Sequence, residues 1–152
     1  MLPDYFEFSL PTRVIYGIGI IDQLGDAVAH YGPRRALLVT DAVLVQAGLA
    51  ERIKAGFAAT AIEIVAVFDQ TPPNSTIKTV EDCAALGREC DCDLIIGLGG
   101  GSVLDTAKVA NILMVKGGPA QDHMGAYLLG QTALLPLFLI PTTAGTGSEV
   151  TK

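Results

Sequence analysis

Four short apolar runs, separated by stretches of helical periodicity, restrict this chain to one kind of fold. The runs are residues 36–40 (Ala-Leu-Leu-Val-Thr), the β-branched 62–68, 93–98, and 137–140 between Pro136 and Pro141. Each is short and evenly apolar, the pattern of a parallel strand buried on both faces. Ile21, Leu24, Val28 and Tyr31 recur at helical spacing within 20–31, and Leu49, Ile53 and Phe57 mark a second helix. Ile77, Val80, Ala84 and Gly87 line a third, and residues 103–115 form another. Strands alternating with helices in this way predict an α/β fold, a parallel sheet with helices on both faces. No internal repeat, low-complexity tract or linker divides the chain, so residues 1–152 read as one domain.

The remaining segments decorate that frame. Residues 5–16 alternate loosely and are broken by Pro11, which predicts two short strands or an edge ribbon. Residues 69–76, rich in Pro, Asn, Ser and Thr, form a loop ending in a helix cap. The uncharged stretch 124–148 has enough hydropathy to suggest a membrane span. Gly130, Gln131, Pro136 and Pro141 divide it, and a strand flanked by turns fits better.

Charge and cysteine usage narrow the chemistry. The 16 acidic residues outnumber the 10 basic ones without a basic cluster, so binding to nucleic acid or to a membrane surface is not expected. A bound phosphate would be held by backbone amides and helix ends instead. Met1-Leu2-Pro3-Asp4 lacks the basic and apolar regions of a signal peptide, and a cytoplasmic location is expected. Cys83, Cys90 and Cys92 have no metal-site spacing and read as reduced, structural thiols. His30 and His123 are expected in surface or capping roles, since a lone histidine does not make a metal site.

Three features carry function. In Leu98-Gly99-Gly100-Gly101-Ser102, a glycine turn joins a strand end to a helix starting near Val103. Bare backbone there permits close approach to a ligand and positive φ, while the free N–H groups and dipole of the helix favour a pyrophosphate. Ser102 and Asp105 also fit a capping box, so both could be closing the helix. Asp105 and Lys108 share a helix face; a surface ion pair is favoured on spacing, with a place near a nicotinamide as the alternative. The second feature, residues 140–151, again follows a strand and is crowded with hydroxyls and glycines, including Thr142, Thr143, Thr146 and Thr151. The two loops would face each other at the carboxyl ends of the strands, where open α/β sheets bind ligands. The third is Asp41, directly after a strand and 22 residues beyond Gly19. It suits the adenosine ribose and favours NAD over NADP, or it caps the next segment.

Together these residues resemble the iron-containing alcohol dehydrogenase family, whose Rossmann-like fold is shared with dehydroquinate synthase. The likeness runs through residues 8–17, Val39-Thr40-Asp41, Pro73-Asn74, Gly99-Gly100-Gly101-Ser102 with Asp105 and Lys108, and residues 141–151. The resemblance implies that Asp41 reads the adenosine ribose and Gly100, Gly101 and Ser102 hold the pyrophosphate. It implies that Thr142, Thr143, Thr146 and Thr151 line the path from adenine to nicotinamide, with Asn74 near the ribose. Ser75 stands where the family usually shows proline.

The resemblance further implies hydride transfer between NAD(P) and a small alcohol or aldehyde, with iron or zinc polarising the alcohol oxygen. The family's metal ligands come from an all-helical domain beyond the equivalent of Lys152, so the metal is expected only in the full-length enzyme. This chain alone is expected to bind cofactor without turnover. The alternative is a stand-alone nucleotide-binding or assembly module from a truncated gene. A homodimer through residues 5–16 is also implied.

Overall fold

The computed structural model describes residues 12–124 and 133–151. After a 3-10 turn (Ile20–Gln23), the chain runs through α1 (Leu24–Ala29), β1 (Arg35–Val39), α2 (Ala42–Gln46), α3 (Leu49–Phe57) and β2 (Glu63–Phe68). It continues through α4 (Ile77–Glu89), β3 (Leu94–Gly99), α5 (Gly101–Lys116), a second 3-10 turn (Ala120–His123) and β4 (Leu137–Pro141). The strands pair in parallel in the order β2-β1-β3-β4. The fold is α/β and Rossmann-like, with the strands where the apolar runs placed them.

Side-chain alternation divides the core into two halves. Ala36, Leu38, Leu94, Ile96 and Leu98 point to one face and pack with Val28 of α1 and Ile53 and Phe57 of α3. Leu37, Val39, Phe68 and Ile95 point to the other and pack with Val80, Cys83 and Ala84 of α4 and Ala107, Ala110 and Leu113 of α5. A parallel sheet covered on both faces explains why its strands carry no polar alternation. At Gly97 the covering is close: a Cβ there would lie 3.0 Å from Leu139 and 3.2 Å from Ala107, so glycine lets α5 settle onto the sheet.

The strand order creates a switch point. From β1 the chain crosses to β2 on one side, then returns past β1 to β3 on the other. Connections therefore leave β1 and β3 in opposite directions, opening a crevice at their carboxyl ends. Thr40, fully buried, donates its hydroxyl to the Leu98 carbonyl (2.9 Å) and pins the two strand ends together. Asp41 and Gly99 are the next residues on either side.

Several expectations are corrected. The helix expected over 20–31 is divided, because Ile20–Gln23 buries no residue and closes as a 3-10 turn, with Asp22 N bonded to Gly19 O (3.0 Å). Tyr31 lies beyond α1 and is half exposed, its ring edge-on to Phe138. The short helix α2 was not expected; it has no buried residue and so leaves no apolar period to read. Of the ribbon expected over 5–16, residues 12–16 form no strand and the rest lies outside the described residues. Residues 125–132 of the uncharged stretch also lie outside them. Among the described residues, no helix is long and apolar enough to cross a membrane.

Candidate dinucleotide site at the sheet crest

The glycine turn is the centre of the site, and its helix opens earlier than the sequence suggested. Gly100 is the N-cap of α5, in extended backbone (φ −80°, ψ −176°), with no side chain accepting from the first turn. Ser102 lies inside the helix and cannot be its cap, so the capping-box reading is overturned. Its Oγ instead accepts from the backbone N–H of Asn74 (3.1 Å), drawing the loop after β2 onto the first turn of α5. The opening N–H groups of an α-helix have no acceptor within it. Val103 N closes on Gly100 O (3.0 Å), so with a glycine cap the N–H groups of Gly101 and Ser102 are left as donors, without an acceptor among the described residues, at the positive end of a 16-residue helix.

The glycines do not take the positive φ that the turn allowed for. None of Gly99, Gly100 and Gly101 has positive φ. A Cβ on Gly100 would lie 3.3 Å from Thr143 Cγ2, and one on Gly101 would lie 3.2 Å from Ser148 Oγ and 3.5 Å from Thr146 Cγ2. Their bare faces admit the hydroxyl-rich loop that follows β4. The two loops do meet, through side chains on one hand and Thr142 N bonded to Gly99 O (2.9 Å) on the other.

Asp41 sits at the end of β1, partly buried, and caps α2 by accepting from Leu44 N through Oδ1 (2.9 Å). The capping alternative is therefore realised; it occupies one carboxylate oxygen in a hydrogen bond and leaves Asp41 beside the crevice. Asn74 takes a left-handed backbone (φ 59°), which asparagine tolerates. Next to it, Ser75 Oγ lies 2.7 Å from the buried Thr106 hydroxyl, which is also 2.7 Å from the Ser102 carbonyl. Since Thr106 has one proton to give, Ser75 can donate to it while it donates to Ser102.

Asp105, Lys108 and Thr151 gather away from the crest, further along α5. Lys108 Nζ lies 2.9 Å from Asp105 Oδ1, the expected ion pair, and 2.8 Å from Thr151 Oγ1. The Thr151 hydroxyl, expected on the cofactor path, thus faces a lysine of its own chain. Lys108, Glu149 and Thr151 border a cavity of about 630 Å³ that runs along β4 and is walled by Leu137–Pro141, Ile20, Leu24 and Tyr16. Gly99–Ser102 do not line it, although Pro141, the sheet partner of Gly99, does. Glu149 Oε2 is buried with no hydrogen-bond partner among the described residues.

Thr40, Thr106, Ser148 and Glu149 were given no role from the sequence, and Ser75 was noted only as a departure from the family pattern. A hydroxyl closing an apolar strand was the available signal for Thr40; the others depend on contacts between segments far apart in the chain. Of the remaining candidates, His123 Nε2 lies 2.7 Å from Gly117 O at the end of α5, and His30 stacks on Tyr31. Burial pushes the Cys83 thiol up to about 12 and, with Cys90 nearby, Cys92 up to about 11, so neither is a ready thiolate. All three cysteines are free. Among the described residues, no three His, Cys, Asp or Glu side chains converge to hold a metal ion.

Comparison with known proteins decides the family. The model of the family described as iron-containing alcohol dehydrogenase matches residues 11–152. The chain belongs to the iron-containing alcohol dehydrogenase family. It is 40% identical over 140 residues to long-chain-alcohol dehydrogenase 1 of Geobacillus thermodenitrificans, covering 90% of this chain and 35% of that protein. Its fold superposes on 1,3-propanediol oxidoreductase with a TM-score of 0.88 at 32% identity, covering 97% of this chain and 38% of the other. Sulfoacetaldehyde reductase from Bifidobacterium kashiwanohense, solved in complex with NAD+, gives a TM-score of 0.84 at 29% identity, covering 98% and 39%. The chain thus spans less than two fifths of the length of these family members and corresponds to the family's N-terminal portion.

Proposed function

We propose that residues 1–152 are the NAD(P)-binding, N-terminal domain of an iron-containing alcohol dehydrogenase that moves hydride between an alcohol and its aldehyde. The observation that carries this reading is the uncapped opening turn of α5 at the β1/β3 switch point. Backbone donors converge there, the helix dipole favours an anion, and among the described residues no side chain caps them.

Gly100, Gly101 and Ser102 are assigned the diphosphate, through the backbone N–H groups at the start of α5. Asp41 is assigned the adenosine ribose, on the β1 side of the crevice. Its negative charge disfavours a 2′-phosphate, so NAD is preferred over NADP. Asn74, held against Ser102, borders the same crevice, and the hydroxyls of Thr142, Thr143 and Thr146 cover it from the other side. The dinucleotide, when bound, supplies the site that accepts or donates hydride. The chain's own part is to bind and orient it.

The described residues offer no ligand set for the family's iron, and no step through a metal is assigned to them. Metal, alcohol or aldehyde substrate and turnover belong, in this reading, to the longer protein, through an all-helical domain that follows these residues. Pairing of two copies through residues 5–16 and a cytoplasmic location are part of the same proposal. Calorimetry of the isolated chain tests its core: binding of NAD and ADP-ribose at micromolar or weaker affinity is expected, with NADP weaker. Absence of heat with all three would overturn it. Asp41→Gly is expected to narrow the gap between NAD and NADP; an unchanged ratio would move ribose recognition elsewhere.

A further inference from the structure

We propose that Lys108 is a positioning residue: its ammonium clamps the far end of the 142–151 loop onto α5 and so sets how firmly the crest holds a dinucleotide. The consequence for affinity rests on the proposed function, whereas the clamp rests on geometry alone.

Lys108 is an unusually sequestered lysine, its side chain 13% exposed against 56% for its partner Asp105. With its stem covered, the side chain is held in one direction and its ammonium finds acceptors on the protein. These are Asp105 Oδ1 at 2.9 Å and Thr151 Oγ1 at 2.8 Å, with the Thr151 carbonyl at 3.5 Å. Asp105 lies one turn earlier on the same helix, so that contact fixes the lysine without joining anything distant. The bond to Thr151 spans 43 residues and is the one that joins the loop to α5.

The loop needs such a tie at that end. At its start it continues β4 and is held by Thr142 N on Gly99 O. In its middle Ser148 is buried, against the bare face of Gly101. Between these points residues 142–146 are exposed and the backbone turns through left-handed Gly145 and Gly147. At its end Val150 and Thr151 bond back to Gly147, which holds the turn together without reaching α5. Lys108 supplies the anchor. Through it, the hydroxyls facing the glycine turn are kept in one place before any ligand arrives, and less ordering remains to be done on binding.

Five versions of the whole chain test this: wild type, Lys108→Met, Lys108→Arg, Thr151→Val and the Lys108→Met/Thr151→Val double variant. Without ligand, hydrogen exchange of the Val150 and Thr151 amides is expected to quicken about tenfold in Lys108→Met, as loss of a charged hydrogen bond allows. Arginine is expected to restore much of the protection. NAD affinity is expected to fall about tenfold in Lys108→Met and no further in the double variant, since both changes cut one tie. Unchanged exchange, or losses that add in the double variant, would overturn the clamp. If wild type binds no dinucleotide, the proposed function falls, while the exchange data still judge the clamp by themselves.

Discussion

β3 and β4 lie side by side in one sheet, yet they meet their surroundings differently. Every residue of β3 is buried, whereas β4 is half-buried over Leu137–Ile140 and exposed at Pro141. β3 is paired on both edges, by β1 and β4, and covered by helices on both faces. Among the described residues β4 is paired on one edge only, and its other side borders the cavity with Ile15, Tyr16 and Ile20. The centre of the domain therefore completes itself, and the crest above it is built from backbone fixed by that completeness. The β4 side is held by fewer contacts, and there single side chains such as Lys108 have more to do.

Core truncation separates β3 from β4 most sharply. Ile96→Ala in β3 removes a fully buried side chain and is expected to cost about 3 kcal/mol in denaturant unfolding. Phe138→Ala in half-buried β4 is expected to cost roughly half as much despite the larger side chain, since part of its ring already meets water. Equal losses would erase the distinction between centre and edge. Next in size is Gly101→Val. Its Cβ would crowd Ser148 Oγ and its branches the donor cluster, so NAD affinity should fall by more than about tenfold in calorimetry. Retention of affinity would place the diphosphate elsewhere.

Thiol chemistry sharpens the contrast at smaller scale. Alkylation of the native chain at pH 8 is expected to reach partly exposed Cys90 first, then Cys92, and Cys83 last. Burial raises the folded Cys83 pKa above its unfolded value near 9. Its contribution to stability is then fully present below that pH and is lost as pH climbs towards about 12. Early labelling of Cys83 would show that the α4 layer opens readily. The smallest effect belongs to the exposed Asp22–Arg52 pair, bonded at 2.8 and 2.9 Å between the first 3-10 turn and α3. Its hydrogen bonds from Arg52 hold the Asp22 carboxyl below the usual range. The stabilisation is present above the unfolded pKa and is lost as pH falls through the lower, folded one. Asp22→Asn should shift the melting temperature only slightly at pH 7 and not at all at pH 2, an exposed pair being worth little.

The same contrast governs what the sequence could show. The buried strands announced themselves because each is apolar throughout, and α3 and α4 because they bury regular positions such as Ile53, Phe57, Val80 and Ala84. Thr76 was legible as a cap because an extended residue before a helix leaves a local signal, and its Oγ1 does accept from Thr79 N. Helix α2 buries nothing and was silent. At the crest, the glycines and hydroxyls were visible as residue types, but their division of labour was not. Local spacing suggested that Ser102 caps and that the glycines make room for a ligand. In the fold, Gly100 is the cap, Ser102 accepts from Asn74 28 residues away, and Gly100 and Gly101 also make room for Thr143, Thr146 and Ser148. Asp105 and Lys108 were readable as neighbours on a helix, whereas the bond from Lys108 to Thr151 exists only once β4 brings the second loop back.

The most direct test is a crystal structure of this chain with bound ADP-ribose. Diphosphate oxygens are expected within hydrogen-bond distance of the backbone N–H groups at the start of α5, with a ribose hydroxyl on Asp41. A diphosphate in the cavity along β4, or an α5 opening turn left without it, would contradict the account.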